Sequence, residues 1–111
     1  MGAYVLGIQV RSSGELVGHI GFSPFGEAVE VGFAIDSAHQ RQGIATEAVR
    51  AACEWAAHAF SISTILGVTA ALNGASQRVL LHAGFSRQKE EVMRFQGLEQ
   101  PVILFAFARR H

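Results

Sequence analysis

An abrupt change in the spacing of apolar residues constrains this chain more than any other feature. Over residues 28–35, large apolar side chains alternate with small or charged ones, which predicts a β-strand with Val29, Val31, Phe33 and Ile35 on one face. From about Gly43 to Phe60, apolar residues recur instead at helical spacing, with Glu47 and Arg50 on the opposite face. The sequence therefore predicts a strand, a glycine-containing turn and a long helix in direct succession.

The remaining elements follow from similar patterns. A short helix is predicted from Asn73 to residue 83, because asparagine is a favourable N-cap and Gly84 can end the helix. Turns are predicted over residues 23–26 and near Gly97 and Pro101. Further strands are predicted at about 4–11, 15–22, 63–72, 85–95 and 102–108. The order βββαβαββ predicts an α/β (α+β) layered domain with a mixed, mostly antiparallel sheet and two helices.

Composition excludes several classes of protein. The chain has 111 residues, enough for one domain, and half of them are apolar. Nine basic and nine acidic residues cancel without forming a basic stripe, which argues against nucleic-acid binding. No apolar run is long enough for a membrane helix. Cys53, the only cysteine, is expected to be a packed helix residue and fits a reducing compartment, so we expect a soluble cytoplasmic protein.

The turn before the long helix has the chemistry of an anion site. Its sequence is Gln-Arg-Gln-Gly-Ile-Ala, residues 40–45. A helix start directs several backbone N–H groups and a partial positive charge at one point, and Gly43 lets the backbone approach a ligand closely. The alternative, a helix-start turn with glycine for geometry alone, stays open from this turn by itself.

Three motifs together resemble the GCN5-related N-acetyltransferases. Residues 40–45 satisfy the pyrophosphate signature Gln/Arg-x-x-Gly-x-Gly/Ala, and residues 46–48 continue as in the branch of ribosomal-protein N-terminal acetyltransferases. A second motif is matched by Asn73, Ser76, Val79, Leu80, Gly84 and Phe85. A third is matched by Glu30, Gly32, Phe33 and Ile35. The resemblance extends over nearly the whole chain from Tyr4.

The resemblance implies a truncated acyl-CoA N-acyltransferase fold and transfer of acetyl from acetyl-CoA to a primary amine, of a protein N-terminus or a small molecule. No metal site is expected from the residues themselves, because His19, His39 and His82 are scattered and the helix pair Glu54 and His58 has no third ligand at suitable spacing. The implied cofactor-binding residues are Phe33, Ala34, Ile35, Gln40, Arg41, Gln42, Gly43, Ile44, Ala45, Thr46, Asn73 and Ser76. Asn73 is explained by helix capping alone, and both roles are compatible.

Two residues are candidates for catalysis. Glu30 lies on the polar face of an otherwise apolar strand and would act as the general base through a water, or else be a surface or salt-bridged carboxylate. Ser76 would protonate the departing thiolate or donate a hydrogen bond to it, or else bond to the helix backbone. Many relatives use a tyrosine for that step, at the position where Leu80 stands here.

One departure from the family concerns the N-terminal side. Family members begin with a strand and two helices, about 35 residues or more, that form much of the acceptor side. We therefore expect residues 1–111 to be a single domain without those elements, and a catalytically silent CoA-binding module or a structural subunit are the alternatives. Apolar strands at 4–22 and 102–108 are expected to need cover from a second copy, which predicts a homodimer.

Overall fold

The computed structural model describes residues 4–9, 13–26, 28–35 and 43–108. Within these ranges it has the predicted order βββαβαββ. The elements are β1 (Tyr4–Gln9), β2 (Leu16–Phe25), β3 (Ala28–Ile35), α1 (Ile44–Ala59), β4 (Thr64–Ala70), α2 (Gly74–His82), β5 (Ser86–Phe95) and β6 (Leu98–Ala108). The predicted fold class is confirmed.

All six strands form one sheet in the order β1-β2-β3-β4-β6-β5. Neighbouring strands are antiparallel except β3 and β4, whose parallel pairing is made possible by the long crossover through α1. This pairing runs only from Val29 opposite Ile65 to Val31 opposite Gly67. Beyond that point β3 and β4 separate, and β4 continues in pairing with β6 alone.

Helix α1 agrees with its prediction to within one residue at each end. Its buried side is built from small residues and one valine, which lets the helix lie close to the sheet: Val49, Ala52, Cys53, Ala56 and Ala57. The charged residues between them, such as Glu47 and Arg50, are exposed. Across the described part of the chain, no helix is both long and apolar enough to cross a membrane.

Helix α2 is fixed at both ends. The Asn73 side chain accepts a hydrogen bond of 3.1 Å from the backbone N–H of Ser76, as expected of an N-cap. Gln77 donates to the backbone carbonyl of Ala71 at 3.0 Å and so ties the helix to the end of β4. At the other end Arg50 of α1 donates to the carbonyl of His82, and Gly84 has a φ of +105°. The predicted start and end of this helix are confirmed.

Strand β6 is buried on both faces, which corrects the expectation that it needs cover from a second copy. Both helices cover one face, where the core includes Ile8, Val17, Ile20, Phe22, Ile65, Leu80, Ile103, Phe105 and Phe107. On the other face a smaller cluster consists of Val68, Val102 and Leu104 with Phe25, Met93 and Phe95 packed against it. The chain thus covers both sides of β6 itself, and most apolar side chains of β1 and β2 are in its core. Val5 and Leu16 remain exposed there.

Both prolines lie in strands, although the sequence predicted turns around them. Pro24 pairs with Val29 in the β2–β3 hairpin, two positions beyond Phe22, which pairs with Tyr4 at the start of the described part of β1. Pro101 pairs with Val92, and its carbonyl accepts a hydrogen bond of 3.0 Å from Ala71, just past the end of β4. The N–H that proline lacks would face the same side as this carbonyl, where no ladder bond is needed.

The hairpin turns are therefore shorter than predicted. The β5–β6 turn consists of Gln96 and Gly97, which have φ values of +53° and +80°. Two consecutive positive φ values are typical of a tight two-residue hairpin turn. Strand β4 also ends earlier than predicted, because the chain turns after Ala70 and leaves Leu72 almost fully exposed.

Candidate functional site

The site candidate is a cleft of about 590 Å³ at the edge where β3 and β4 separate. Phe33, Ala34 and Ile35 at the end of β3 form one wall. The first turn of α1 and one side of α2 form the rest. Parallel strands end at the same edge of a sheet, and a crevice outside those ends is a common ligand-binding position. The topology therefore opens the cleft and gathers two helix starts around it.

The start of α1 has donors available for an anion. Gly43, the N-cap residue, has a φ of +74°, and its lack of a side chain leaves the first turn without a side-chain cap. The first intrahelical bond of this end runs from Glu47 N–H to the Gly43 carbonyl at 3.0 Å. The N–H groups of Ile44, Ala45 and Thr46 precede that bond and have no helical acceptor. A phosphate group would satisfy them.

Glycine at position 43 serves both the backbone and the cleft. A positive φ of this size favours glycine, and a Cβ placed there would meet no heavy atom of the described residues within 4 Å. Within the described part of the chain, no side chain therefore fills the space beside Gly43. A pyrophosphate fits this arrangement chemically, because several N–H groups converge there and no acidic side chain lines the described cleft.

The start of α2 forms the opposite side of the cleft. Asn73 and Ser76 both line it, and the capping bond between them fixes the asparagine side chain. The capping explanation of Asn73 is therefore satisfied, and Asn73 also lines the cleft. Ser76 makes the capping bond through its backbone N–H, which leaves the role of its hydroxyl as a prediction.

Glu30 lies beside the cleft but does not line it. It is half-buried and pairs with Leu66, one position before the last β3–β4 pair. Its side chain is on the sheet face opposite the helices, because Val31 next to it packs in the helix-side core. Burial raises the pKa of the Glu30 carboxyl above its ordinary value. A raised pKa suits a group that must accept a proton near neutral pH.

The structure brings together most of the predicted cofactor residues. Those that line the cleft are Phe33, Ala34, Ile35, Gly43, Ala45, Thr46, Asn73 and Ser76. The side chain of Ile44 instead packs against the core, so only its backbone can serve a ligand. Gln40, Arg41 and Gln42 lie outside the described residues.

Four lining residues were not predicted, namely Ala75, Arg78, Val79 and His82. They all belong to α2. Extending the face that holds Asn73 and Ser76 by steps of three and four residues would have found them, because such positions are neighbours on a helix surface. The motif itself includes only Val79 of these four residues, so it does not mark the rest of this helix face.

Cys53 does not line the cleft. Burial, with a smaller contribution from neighbouring Glu54, raises the pKa of the Cys53 thiol to about 12, so this cysteine is a packed residue as predicted. Over the ranges that the structure describes, no three His, Cys, Asp or Glu side chains are grouped as metal ligands would be.

Comparison with known proteins identifies a family. The model of the acetyltransferase (GNAT) domain matches residues 1–86. An uncharacterized N-acetyltransferase of Bacillus subtilis, YoaA, is 37% identical over 91 residues, which are 79% of this chain and 50% of that protein. The chain thus spans about half the length of the curated relatives that it matches.

Solved structures have the same fold. A protein from Vibrio cholerae, provisionally named a ribosomal-protein-serine acetyltransferase, superposes with a TM-score of 0.86 at 26% identity, covering 96% of this chain and 64% of that one. A ribosomal-protein-S5-alanine acetyltransferase from Vibrio fischeri gives a TM-score of 0.83 at 23% identity, with 96% and 62% covered. The second likeness concerns the fold alone.

Proposed function

Because this chain belongs to the GNAT acetyltransferase family, we propose that it binds acetyl-CoA in the cleft and takes part in acetyl transfer to a primary amine. The observation that carries this proposal is the convergence of the uncapped α1 start and the α2 start on the gap between β3 and β4. The three sequence motifs fall on the three sides of this gap.

The cofactor's parts are assigned by chemistry. The N–H groups of residues 44–46 would bind the pyrophosphate, with Gln40, Arg41 and Gln42 completing the loop. The pantetheine arm would extend between Asn73 and the end of β3, where the strand separation leaves Phe33 and Ala34 without a β4 partner. An extended amide chain can satisfy such strand groups as a neighbouring strand does.

Acetyl-CoA would supply a thioester that a neutral amine attacks, forming an amide bond and releasing a thiolate. Glu30 would take the proton from the incoming ammonium through a water, and its raised pKa supports that role. The N–H groups near Gly32–Ile35 would polarise the acetyl carbonyl. The Ser76 hydroxyl would donate a hydrogen bond to the departing thiolate, which then takes its proton from solvent. Positioning of the two reactants supplies the rest of the rate enhancement.

We infer that the acceptor is an amine of the kind used by the ribosomal-protein branch, a protein N-terminus, with a small amine as the second candidate. Support comes from the Thr-Glu-Ala continuation at residues 46–48 and from the 26% identity to the Vibrio cholerae protein of that name. The N-terminal strand and two helices that the family uses on the acceptor side are not among the described elements. We therefore assign to this chain, as one domain, the cofactor half of the family's fold.

Two further proposals concern context. A homodimer would use the edge strand β1 and the start of the neighbouring β2, where Val5 and Leu16, respectively, are 73% and 69% exposed. This surface is smaller than the sequence predicted, because the core takes up most of the apolar side chains of β1 and β2. A cytoplasmic location is supported by the single cysteine, which is free and buried.

The proposal is tested by Gly43→Val. A valine at φ +74° would block the approach of phosphate, and we expect acetyl-CoA affinity to fall at least about tenfold, the equivalent of one charge-assisted hydrogen bond of about 1.5 kcal/mol. The backbone strain itself costs about 1–2 kcal/mol, which leaves the chain folded. Isothermal titration gives the affinity and circular dichroism the melting temperature.

Gly97→Val is the matched control. Gly97 has a φ of +80°, and a Cβ there also meets nothing within 4 Å, but this residue is in the β5–β6 turn and does not line the cleft. The control should lose similar stability and keep wild-type affinity. Equal affinity in Gly43→Val would mean that the cofactor binds elsewhere. Tight binding without acetylation of any amine would favour the silent module, and no binding at all would favour a structural subunit.

A further inference from the structure

The cleft has a cationic end that the acetyl-transfer chemistry does not use. Helix α2 lines it from Asn73 to His82, a distance of roughly 13 Å at the helical rise. Asn73 and Ser76 are at the end near the β3–β4 gap. Arg78 and His82 are at the other end, four residues apart and therefore neighbours on the helix surface. The described lining contains no aspartate or glutamate that could neutralise them.

Arg78 is not bonded to any other group among the described residues. Within the described residues it makes neither a hydrogen bond nor an ion pair. Its Nη1 atom lies 3.3 Å from the position that a Cβ on Gly74 would occupy, so the side chain runs back along α2 towards the start of that helix. The guanidinium is thus held along the cleft wall, with its five N–H donors available to a ligand.

Arg50, unlike Arg78, is hydrogen-bonded to another part of the chain. The Arg50 side chain also reaches α2, but it donates to the His82 carbonyl and so satisfies the end of that helix. This contact fixes the last turn of α2, on which the His82 side chain lines the cleft. One arginine is therefore accounted for by the packing of the two helices, and the other is not.

Coenzyme A carries a group that matches this end. With pyrophosphate at the α1 start and pantetheine towards the β3–β4 gap, the nucleotide must leave in the other direction, past the later turns of α2. Its ribose bears a phosphomonoester with a charge of about −1.5 to −2 at neutral pH. Arginine binds such a group with two parallel hydrogen bonds.

We propose that Arg78, assisted by His82, forms a phosphomonoester subsite that recognises the ribose 3′-phosphate of coenzyme A. The subsite presupposes the acetyl-CoA site proposed above. It makes the chain discriminate between coenzyme A and forms of it without this phosphate. The discrimination is electrostatic and exposed, so it weakens as salt is raised.

The test is isothermal titration of the chain with coenzyme A and with dephospho-coenzyme A, which lacks only the 3′-phosphate. Wild type should prefer coenzyme A about three- to tenfold, the range for an exposed charge-assisted contact. Arg78→Gln should abolish most of this preference while leaving the affinity for dephospho-coenzyme A unchanged. Arg78→Lys should keep part of it, and His82→Gln should lower it less than Arg78→Gln does.

Arg94→Gln is the matched control, since Arg94 is an exposed arginine on β5 that does not line the cleft. It should keep the full preference. An unchanged preference in Arg78→Gln, or equal weakening of both ligands, would overturn the subsite and leave the acetyl-CoA site standing. Failure of wild type to bind either ligand would overturn the proposed function and the subsite with it.

Discussion

Gly67→Ala should displace the helix that carries one side of the cleft. Gly67 is buried in β4, directly under α2. A Cβ added there would be 2.8 Å from Leu80 Cδ1 and 3.0 Å from Leu80 Cδ2. Because carbon atoms in contact are normally about 3.5–4.0 Å apart, Leu80 has to withdraw by several tenths of an ångström. Leu80 is 1% exposed, and Phe85 limits its retreat.

The expected cost of this overpacking is about 1–3 kcal/mol. In a domain of this size each kcal/mol lowers the melting temperature by roughly 4 °C, so thermal unfolding followed by circular dichroism resolves it. Acetyl-CoA should also bind more weakly, because Asn73 and Ser76 move with α2. Gly32→Ala is the control: Gly32 is exposed, and a Cβ there meets nothing within 4 Å, so its stability should be close to that of wild type.

A double-mutant cycle distinguishes the contact between residue 67 and Leu80 from a general loss of stability. Leu80→Ala alone leaves a cavity and should cost about 2–5 kcal/mol. In the double variant the methyl group on residue 67 occupies part of that cavity, so the combined loss should fall short of the sum by at least about 1 kcal/mol. Losses that simply add would refute the close packing of α2 on Gly67.

Three other predictions follow from the site and its surroundings. Burial raises the pKa of Glu30, so the native state binds its proton more tightly than the unfolded state does, and stability falls as the pH rises from the ordinary to the raised pKa. Glu30→Gln should remove this loss in melts between about pH 4 and 8 while lowering acetyl transfer, and a decline with pH that is unchanged in the variant would contradict it. Asn73→Ala should cost about 1 kcal/mol through loss of the cap and weaken acetyl-CoA binding, whereas Ser76→Ala should lower turnover less than Glu30→Gln does; a fully active Asn73→Ala would limit Asn73 to capping. Light scattering at micromolar concentration should find a dimer that Val5→Lys dissociates, and a wild-type monomer would refute the β1 interface.

The sequence predicted the parts of the fold whose signals are local. Helix α1 was located to one residue because its apolar spacing and Gly43 mark the same start, and α2 because Asn73 and Gly84 cap it. The turn around Pro24 was placed too early, because proline disfavours a strand only where its missing N–H is needed. Whether it is needed depends on where the neighbouring strand ends, and the sequence of one strand does not contain that information.

The same reasoning applies to the site. The α1 start, Asn73 and Ser76 were found because each is part of a motif, and the structure brings them to one cleft. Arg78 and His82 lie on a helix surface that looks solvated in the sequence, and only the position of α2 beside the α1 start turns that surface into a cleft wall. The expectation that β6 needs cover from a second copy was wrong for a similar reason, since Phe25 from the β2–β3 hairpin, together with Met93 and Phe95 of the neighbouring β5, packs on its second face.

Because β3 and β4 pair at only three positions, the sheet consists of two halves that are joined by this short pairing, the seam. β1, β2 and β3 form one antiparallel half, and β4, β6 and β5 form the other. Hairpins such as β2–β3 and β5–β6 assemble quickly from neighbouring residues, whereas the seam must wait for the whole connection through α1 to close. We therefore expect the cleft to form after the hairpins. A ligand that binds across the two halves would favour the folded chain over the unfolded one, so that ligand binding and closure of the seam would reinforce each other.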